Sequence, residues 1–426
     1  MTFIFDDKIR YDDSPDLSAF GRLRTSQTRI LGEYRYMYGS AAETEMNDLI
    51  VGNGTLTADL PRNEFLANTG TASGDRVVRQ TKQYHPYIPG TSNIGMITFV
   101  FDQAKTNLVQ SVGLFDDDNG IIFRLNGLVA EVVIRKGGVD AEIVSQSNWN
   151  KDRLDGSMNE FNQSGKLADW SKGQILIMDY QWLGLGKVRI GFIQDGEIIY
   201  VHQFDHVNEV NEVYMYQPSL PCRWEINNSG TTASNSSMKI ICGAVYCEGS
   251  DYETGFLRSI STDGTHTTIT AGNSILGAGI IAVRLKNSLS NKPNRSFARL
   301  KNYSMVVDND TQFKIVILPN NTLLANNSNT VWTSVPGYGW CEYIKNFTMA
   351  ENWMAANNFS VLYDGFATGG AANKTGTVEL NLTENRTSAI YQNYHSNNSQ
   401  IFAILGYRIS NVDVQARASM SWLEVK

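Results

Sequence analysis

The sequence lacks the features that direct a protein to nucleic acid or into a membrane. Its 36 basic residues are outnumbered by 43 acidic ones, which gives a formal net charge of -7, and no basic cluster is interleaved with aromatics. Its longest apolar run, "ILGAGIIAV" from Ile275, is about half of the roughly 20 residues that cross a bilayer. The start, "MTFIFDDKIRYDD", carries acids where a secretory signal carries positive charge. We expect no nucleic-acid partner, no membrane insertion and synthesis in the cytoplasm.

Paired cysteines and catalytic signatures are also missing. The cysteines have no CxxC spacing, which favours buried free thiols; they are Cys222, Cys242, Cys247 and Cys341. No GxSxG or HExxH motif occurs, and neither "GLGKVR" at Gly184 nor "GTASGD" at Gly70 has the setting of a phosphate loop. We therefore expect no catalytic residue, no metal and no cofactor, and hence a protein that is not an enzyme.

The composition favours a folded, mainly β protein with two domains. The apolar fraction is 42% and the charged fraction 19%, which is typical of a globular chain, and 426 residues exceed what one core usually supports. We predict two antiparallel β-sandwich or jelly-roll domains preceded by an extended N-terminal arm. The arm is assigned to residues 1–29, the first domain to 30–250, and the second, outward-facing domain to 251–426.

Three predicted hairpins support the β assignment. In "KVRIGFIQDGEIIYVHQF", Asp195-Gly196 suits a type I′ turn between alternating strands. The predicted pairs are Gln194 with Glu197, Phe192 with Ile199, and Ile190 with Val201, with Arg189, Tyr200 and His202 on the opposite face. "GLFDDDNGIIFRL" repeats the arrangement with Asn119-Gly120, and "VVIRKGGVDAEIV" repeats it with Gly137-Gly138.

Two short motifs resemble metal sites but are interpreted otherwise. His202 and His206 flank Asp205, yet on a strand four residues separate two side chains by roughly 13 Å, too far to share an ion. "FDDDNG", Asp116 to Gly120, has the wrong glycine position for a calcium loop and no following glutamate. We interpret the first as a satisfied histidine pair and the second as a hairpin turn.

A long irregular loop, Asn148 to Gln174, is the candidate contact surface of the first domain. Trp149, Asp155 and Trp170 combine aromatic and polar groups, as sugar-binding surfaces do, although core anchoring of the indoles is the alternative. Carboxylates of the loop could also serve a glycosidase; they are Asp152, Asp155 and Glu160. Without a convergent set of catalytic groups, hydrolysis is the weakest of these hypotheses.

The stretch "SPDLSAFGRLRTSQ", Ser14 to Gln27, is the candidate assembly element. Ser14 and Pro15 suit the start of a helical turn, and Arg22 and Arg24 alternate with Leu23 as in an extended segment. One hypothesis is a lead-in whose Phe20 plugs the first domain. The other is an arm in which Phe20, Arg22 and Arg24 anchor the chain to a neighbouring subunit.

Several ordered motifs give this sequence a resemblance to a known family. They are "AFGRLRTSQ", "WNKDRLDG", "SGKLADWSKGQILIMDYQWLGLGKVRIGF", "GEIIYVHQFDHVN", "YMYQPSLPCRWEI" and "SSMKIICGAVYCEG", which span most of residues 15–250. They resemble virion structural proteins of tailed bacteriophages and of some large DNA viruses. The second domain is similar only at "SILGAGIIAVRLK" and "ASMSWLEVK".

The resemblance implies a non-enzymatic particle component, located in the virion and made in the host cytoplasm. It implies other virion structural proteins as partners and a homo-oligomer, by analogy a trimer. A collar or head fibre, a capsid decoration, and a tail or baseplate component all remain open. The alternative is a virion tip protein that binds a receptor or host-surface glycan.

Overall fold

The computed structural model places two compact units along the chain, Met1–Tyr252 and Glu253–Lys426. It describes residues 17–20, 28–36, 45–248, 255–319, 324, 331–337, 339–350, 354, 359–369, 376–378, 388–395 and 398–425. The predicted anchors Arg22 and Arg24 lie outside the described residues, whereas Phe20 lies within them.

The mainly β prediction is confirmed, because the described elements are antiparallel strands joined by turns and short 3₁₀ segments. The 3₁₀ segments are Leu60–Arg62, Gln146–Asn148 and Ala271–Ser274. The strands of the first unit are β1 (Thr28–Arg35), β2 (Met46–Val51), β3 (Thr55–Asp59), β4 (Glu64–Thr69), β5 (Arg76–Thr81), β6 (Asn93–Val100), β7 (Leu108–Phe115), β8 (Gly120–Asn126), β9 (Val129–Lys136), β10 (Val139–Ser145), β11 (Gln174–Tyr180), β12 (Val188–Gln194), β13 (Glu197–Phe204), β14 (Cys222–Asn228) and β15 (Ser236–Glu248).

The first unit is a sandwich of two antiparallel sheets. An eight-stranded sheet has the order β13-β12-β11-β6-β15-β4-β3 with β1 beside β15, and a seven-stranded sheet has the order β10-β9-β8-β7-β14-β5-β2. Alternating side chains of both sheets meet in one core. In this core Phe123 of β8 contacts Phe192 of β12, and their ring centroids are 4.9 Å apart. The seven-stranded sheet comes so close that a Cβ on its Gly113 would lie 2.9 Å from the Met178 methyl group of the other sheet.

The second unit also contains two main sheets. Its strands are β16 (Phe256–Ser261), β17 (Thr267–Ile269), β18 (Ala278–Leu285), β19 (Ser288–Leu289), β20 (Lys292–Pro293), β21 (Phe297–Val307), β22 (Thr311–Leu318), β23 (Thr333–Ser334), β24 (Cys341–Thr348), β25 (Ser360–Ala367), β26 (Gly376–Val378), β27 (Ala389–Ile390), β28 (Ile401–Arg408) and β29 (Val414–Val425). One sheet has the order β16-β29-β21-β26, with β17 beside β29 and β27 beside β21, and the other has the order β23-β24-β18-β28-β22-β25. Tyr303 of the first sheet contacts Phe313 of the second edge to face.

The Asp195-Gly196 hairpin forms with one change of register. Asp195 and Gly196 have φ of 53° and 84°, as a type I′ turn requires, and the pairs Gln194–Glu197 and Phe192–Ile199 are confirmed. The predicted pair Ile190–Val201 is wrong, because a bulge leaves Ile190 opposite His202.

The bulge also changes the face on which one residue lies. Tyr200 lies with Arg189 on the outer face, as predicted, since the Arg189 guanidinium carbon is 4.5 Å from the Tyr200 ring centroid. His202 instead shares the inner face with its partner Ile190, whose side chain belongs to the core. The outer-face prediction for His202 is therefore wrong.

The other two hairpins form, one of them with a longer loop than expected. Gly137 and Gly138 join β9 to β10, and both have positive φ. Gly120 is not in the turn but is the first residue of β8, opposite Phe115, so the loop comprises four residues, 116–119. The Asp116 carboxylate accepts the backbone N–H groups of residues 118 and 119, which stabilises this longer loop.

Candidate functional site

The N-terminal segment, defined as Leu17–Phe20, is packed against the first unit. Leu17, Ser18 and Ala19 are buried, and Phe20 is half-buried, with its N–H donated to Ser18 Oγ at 3.2 Å. Arg189 of β12 donates an Nη2–H group to the Leu17 carbonyl oxygen at 2.5 Å. A lead-in packed on the first unit, which was one of the two sequence hypotheses, agrees with this placement.

Arg189 belongs to a set of residues on the outer face of the eight-stranded sheet, here called the docking face. The register places Asp179 of β11 opposite both Ile94 and Arg189, so these three side chains share one face. The same face carries Ile177 and Tyr200, and the docking face is defined as Ile94, Ile177, Asp179, Arg189 and Tyr200.

A buried ion pair lies at the centre of the docking face. Arg189 bonds Asp179 through both Nε, at 3.1 Å, and Nη2, and the two side chains are 3% and 0% exposed. Ser92 Oγ donates to Asp179 Oδ1 at 2.6 Å, and the Tyr200 hydroxyl donates to Oδ2 at 3.4 Å. The carboxylate therefore accepts hydrogen bonds from two residues of the sheet and from Ser92, the residue before β6, as a buried charge requires.

Sequence reasoning found part of this site. Phe20 was identified, but Leu17 and the residues that receive the segment were not. The alternation of side chains along β12 predicted that Arg189 lies on the outer face. A charged residue there was the sequence signal for this site. That Asp179 lies opposite it depends on the pairing of β11 with β12, which the hairpin pattern does not reveal.

The two indoles of the long loop contact each other, but one of them has no access to solvent. Trp149 is 1% exposed, donates its indole N–H to the Val144 carbonyl at 3.2 Å, and meets Trp170 edge to face at 6.2 Å. Trp170 is half-buried against Phe123, at 4.7 Å between ring centroids. A buried Trp149 offers no ring face to a sugar, so the glycan-contact role does not fit it, and it acts as a core anchor.

The carboxylates of the loop hold the loop together. Asp152 accepts the backbone N–H groups of Leu154 and Ser164, one on each oxygen. Asp155 is exposed and accepts the N–H and Oγ–H of Ser157 on Oδ1, and these hydrogen bonds lower the pKa of Asp155. Such bonds explain how the irregular loop keeps a defined conformation.

The two histidines have protein partners. His202 Nδ1 accepts the Asn150 N–H at 3.3 Å, and burial lowers the pKa of His202 to about 4. His206 is hydrogen-bonded to the Gly186 carbonyl at 2.6 Å and to Glu142 at 3.0 Å. In the part of the chain that the structure describes, no group of three His, Cys, Asp or Glu residues is placed to hold a metal ion.

The carboxylates of the 116–119 loop are likewise engaged by protein groups. Burial alone would raise the pKa of Asp117, but the charges of Arg223 and Arg76 lower it to about 2. Arg223 and Arg76 contact Asp117 Oδ1 at 2.7 and 2.9 Å. This loop is therefore a hairpin turn joined to arginines of the seven-stranded sheet.

Three of the four cysteine thiols are buried. Cys242 is half-buried, whereas Cys222, Cys247 and Cys341 are buried. Burial raises the pKa of Cys222 and of Cys341, so neither thiol is a ready nucleophile at neutral pH.

Comparison with known proteins finds distant likenesses of structure. No family model matches the chain, and no curated protein matches it in sequence. A β-glucanase from Bacillus licheniformis has 9% identity and a TM-score of 0.34, covering 52% of this chain and 98% of its own. A legume lectin-like domain from Entamoeba histolytica has 11% identity and a TM-score of 0.33, covering 53% and 100%.

A third solved structure is described as a carbohydrate esterase from Shiga toxin-encoding bacteriophage phi24B. It has 11% identity and a TM-score of 0.33, and covers 52% of this chain and 100% of its own. At such scores these similarities assign neither an activity nor a ligand to this chain. Separately, the described residues include no helix of the length and apolar character needed to cross a membrane.

Proposed function

We propose that this protein is a non-enzymatic structural subunit of a bacteriophage particle, attached to its neighbours through its N-terminal segment. The observation that carries the proposal is the ordered set of motifs that resembles virion proteins, whereas the N-terminal segment contacts its own unit through Arg189 and the Leu17 carbonyl. The last two residues of the segment, Ala19 and Phe20, begin "AFGRLRTSQ", the first of these motifs. Collar or head fibre, capsid decoration, and tail or baseplate component are all compatible with this role.

The chemistry of the candidate groups supports a role without catalysis. Asp152 and Asp155 accept hydrogen bonds from their own loop, and the buried Cys222 and Cys341 have raised pKa values.

The proposal is tested on particles of the virus that encodes the chain. Particles are separated on a density gradient and probed with antibodies against the recombinant protein. We expect the protein to sediment with the particles and to remain after a high-salt wash, while a virus carrying Leu17→Asp with Phe20→Asp leaves it at the top of the gradient. An unaltered protein that stays at the top of the gradient would refute the virion role.

Recognition of a host-surface glycan is the second candidate. It is favoured by Asp155, an exposed carboxylate whose described hydrogen bonds all end on Oδ1, which leaves Oδ2 to accept a hydrogen bond from a sugar hydroxyl. Trp170, half-buried in the same loop, is the aromatic partner. The two residues are not in contact with each other among the described interactions, so a glycan would have to bridge them.

A glycan library titrated against intrinsic fluorescence tests this second role. We expect a saturable shift that Trp170→Ala and Asp155→Asn each remove. Asp169→Asn is the matched control, because Asp169 is another exposed loop carboxylate bonded to a serine two residues on. No shift with any glycan, or equal loss in the control, would refute it.

A further inference from the structure

We infer that His206 is a proton-dependent clasp between the edges of the two sheets of the first unit, closed while its ring is protonated and loosened as the pH rises. The clasp is defined as His206, Glu142, Gly186 and Tyr214. Glu142 lies on β10, the edge strand of the seven-stranded sheet, and His206 follows β13, the edge strand of the eight-stranded sheet. The inference goes beyond the virion role and does not depend on it.

The ring of His206 is buried and points one nitrogen at each of two oxygen atoms. Nδ1 lies 2.6 Å from the Gly186 carbonyl oxygen, and Nε2 lies 3.0 Å from Glu142 Oε1. The ring also stacks on the Tyr214 ring, with centroids 4.1 Å apart and an interplanar angle of 5°. Because His206 is 1% exposed, water has little access to either ring nitrogen.

Both partners of this ring need a proton from it. A carbonyl oxygen and an ionised carboxylate accept hydrogen bonds but cannot donate them. A neutral imidazole carries one N–H group and the imidazolium carries two, so the charged ring alone completes both bonds. The contribution of the clasp to stability is therefore present at low pH and is lost as the ring gives up a proton.

The other two buried histidines of the first unit have partners that suit a neutral ring. His85 Nδ1 lies 2.7 Å from a backbone carbonyl oxygen, but its Nε2 lies 2.8 Å from the Tyr34 hydroxyl, which can donate. His202 Nδ1 accepts a backbone N–H, and burial lowers the pKa of His202 to about 4, although the charge of Glu142 opposes this shift. Of these three rings, that of His206 is the one that faces two acceptors.

The bond to Glu142 is the one that deprotonation breaks. Gly186 is buried, so its carbonyl oxygen has little access to water and keeps the remaining N–H group. The Glu142 side chain is 37% exposed, and its carboxylate can turn towards water when the facing nitrogen no longer donates. A rising pH therefore releases β10 from the loop that follows β13.

The other ionisable groups near the ring are engaged elsewhere. Burial raises the pKa of Tyr214, whose hydroxyl donates to the Gln181 carbonyl at 2.9 Å, so this neighbour stays neutral. Asp205 accepts a hydrogen bond from the side chain two residues before it, and Glu212 contacts Lys136 Nζ at 2.6 Å. The remaining charged residues of the adjoining turn and loop are Lys187 and Glu209. Glu142 is therefore the counter-ion of His206.

Long-range ¹H–¹⁵N spectra of the histidine rings test the proton state of His206 in the full chain. The protein is labelled with ¹⁵N-histidine, and His206→Gln and Glu142→Gln both identify the His206 signal. Histidine ordinarily changes charge between about pH 5 and pH 8, so spectra at about pH 5.5 and about pH 9 bracket the change. We expect a doubly protonated His206 ring at the lower pH and a singly protonated one at the higher pH, with His202 neutral at both.

Hydrogen exchange of the β10 peptide, Val139–Ser145, tests what the proton holds together. After correction for the intrinsic exchange rate, protection of this peptide should fall about ten-fold or more between the two pH values, since one hydrogen bond to a charged group is lost. Glu142→Gln should abolish this dependence, because an amide can turn its NH₂ group towards a neutral ring. Asp205→Asn is the matched control, a neighbouring carboxylate whose neutralisation should leave the dependence unchanged.

Each outcome supports or overturns the inference. A change of ring protonation, together with a loss of protection that Glu142→Gln removes, supports the clasp. A His206 ring that carries one proton at both pH values would overturn it. An equal loss of protection in Glu142→Gln would also overturn it, because the bond to Glu142 would then not depend on the proton. The virion role is tested separately, by the particle gradient.

Discussion

The buried pair between Arg189 and Asp179 gives the sharpest prediction for the N-terminal attachment site. Replacing Arg189 by Met keeps much of the side-chain volume but leaves the Asp179 carboxylate, 0% exposed, without its cation. Breaking a buried pair in this way costs about 3 to 5 kcal/mol. Because Ser92 and Tyr200 still donate to Asp179, we expect the lower end of that range, about 3 kcal/mol.

The reasoning also predicts a rescue. The double variant Arg189→Met with Asp179→Leu removes both charges, and replacing a buried pair by apolar groups is often close to neutral. We therefore expect the double variant to lose less free energy of unfolding than Arg189→Met alone. The assay is urea unfolding followed by tryptophan fluorescence, with hydrogen exchange of peptides from the first unit to assign the transition.

An exposed pair is the matched control. Arg35 and Glu33 are 3.5 Å apart with side chains 67% and 48% exposed, so Arg35→Met should change stability by less than about 0.5 kcal/mol. Two results would refute the assignment of a buried, coupled pair. One is a loss of less than about 1 kcal/mol in the free energy of unfolding for Arg189→Met. The other is a double variant whose loss equals the sum of the losses of Arg189→Met and Asp179→Leu.

Three further predictions concern other parts of the molecule. Trp149→Ala should destabilise the first unit by about 3 to 5 kcal/mol, since the indole is fully buried, and a surface role for Trp149 would instead leave urea unfolding unchanged. The pKa of His202 is about 4 in the folded state and about 6.5 in the unfolded state. Between pH 6.5 and pH 4 the unfolded state therefore binds one more proton than the folded state. The free energy of unfolding should for this reason fall by about 2 to 3 kcal/mol as the pH drops from 6.5 to 4. A His202→Gln variant should lose that part of the pH dependence, and an unchanged profile would contradict the burial of His202. In the second unit, Glu424 accepts the N–H groups of Trp340 and Cys341, so Glu424→Gln should cost about 1 to 3 kcal/mol in urea, and a neutral result would show that these bonds contribute little.

The fold could be predicted from local patterns, whereas the site depends on pairing between distant strands. Asp195-Gly196 marks its hairpin because positive φ at both positions suits few other residues. The bulge beyond it escaped prediction, since strict alternation continues through Ile190. The close approach of backbones at Gly191, where a Cβ would lie 2.5 Å from the Ile199 carbonyl, gives a physical reason for a glycine beside the bulge.

The same limit applies to the functional residues. The long loop was recognised by its composition, but composition alone did not decide whether Trp149 faces solvent or the core. Its burial follows from contacts with Phe123 of β8 and with Trp170, which lies 21 residues further along the same loop. Likewise Phe20 was a local signal, whereas the Arg189 contact with Leu17 joins residues 172 positions apart.

The mass of the protein in solution tests the central claim that the N-terminal segment is an assembly element. Light scattering is applied to the full chain and to a chain that lacks residues 1–27, a cut placed before β1, which begins at Thr28. We predict a defined oligomer for the full chain and a monomer for the shortened one. Equal masses for the two chains would contradict the claim and would leave the segment as a cover for its own unit.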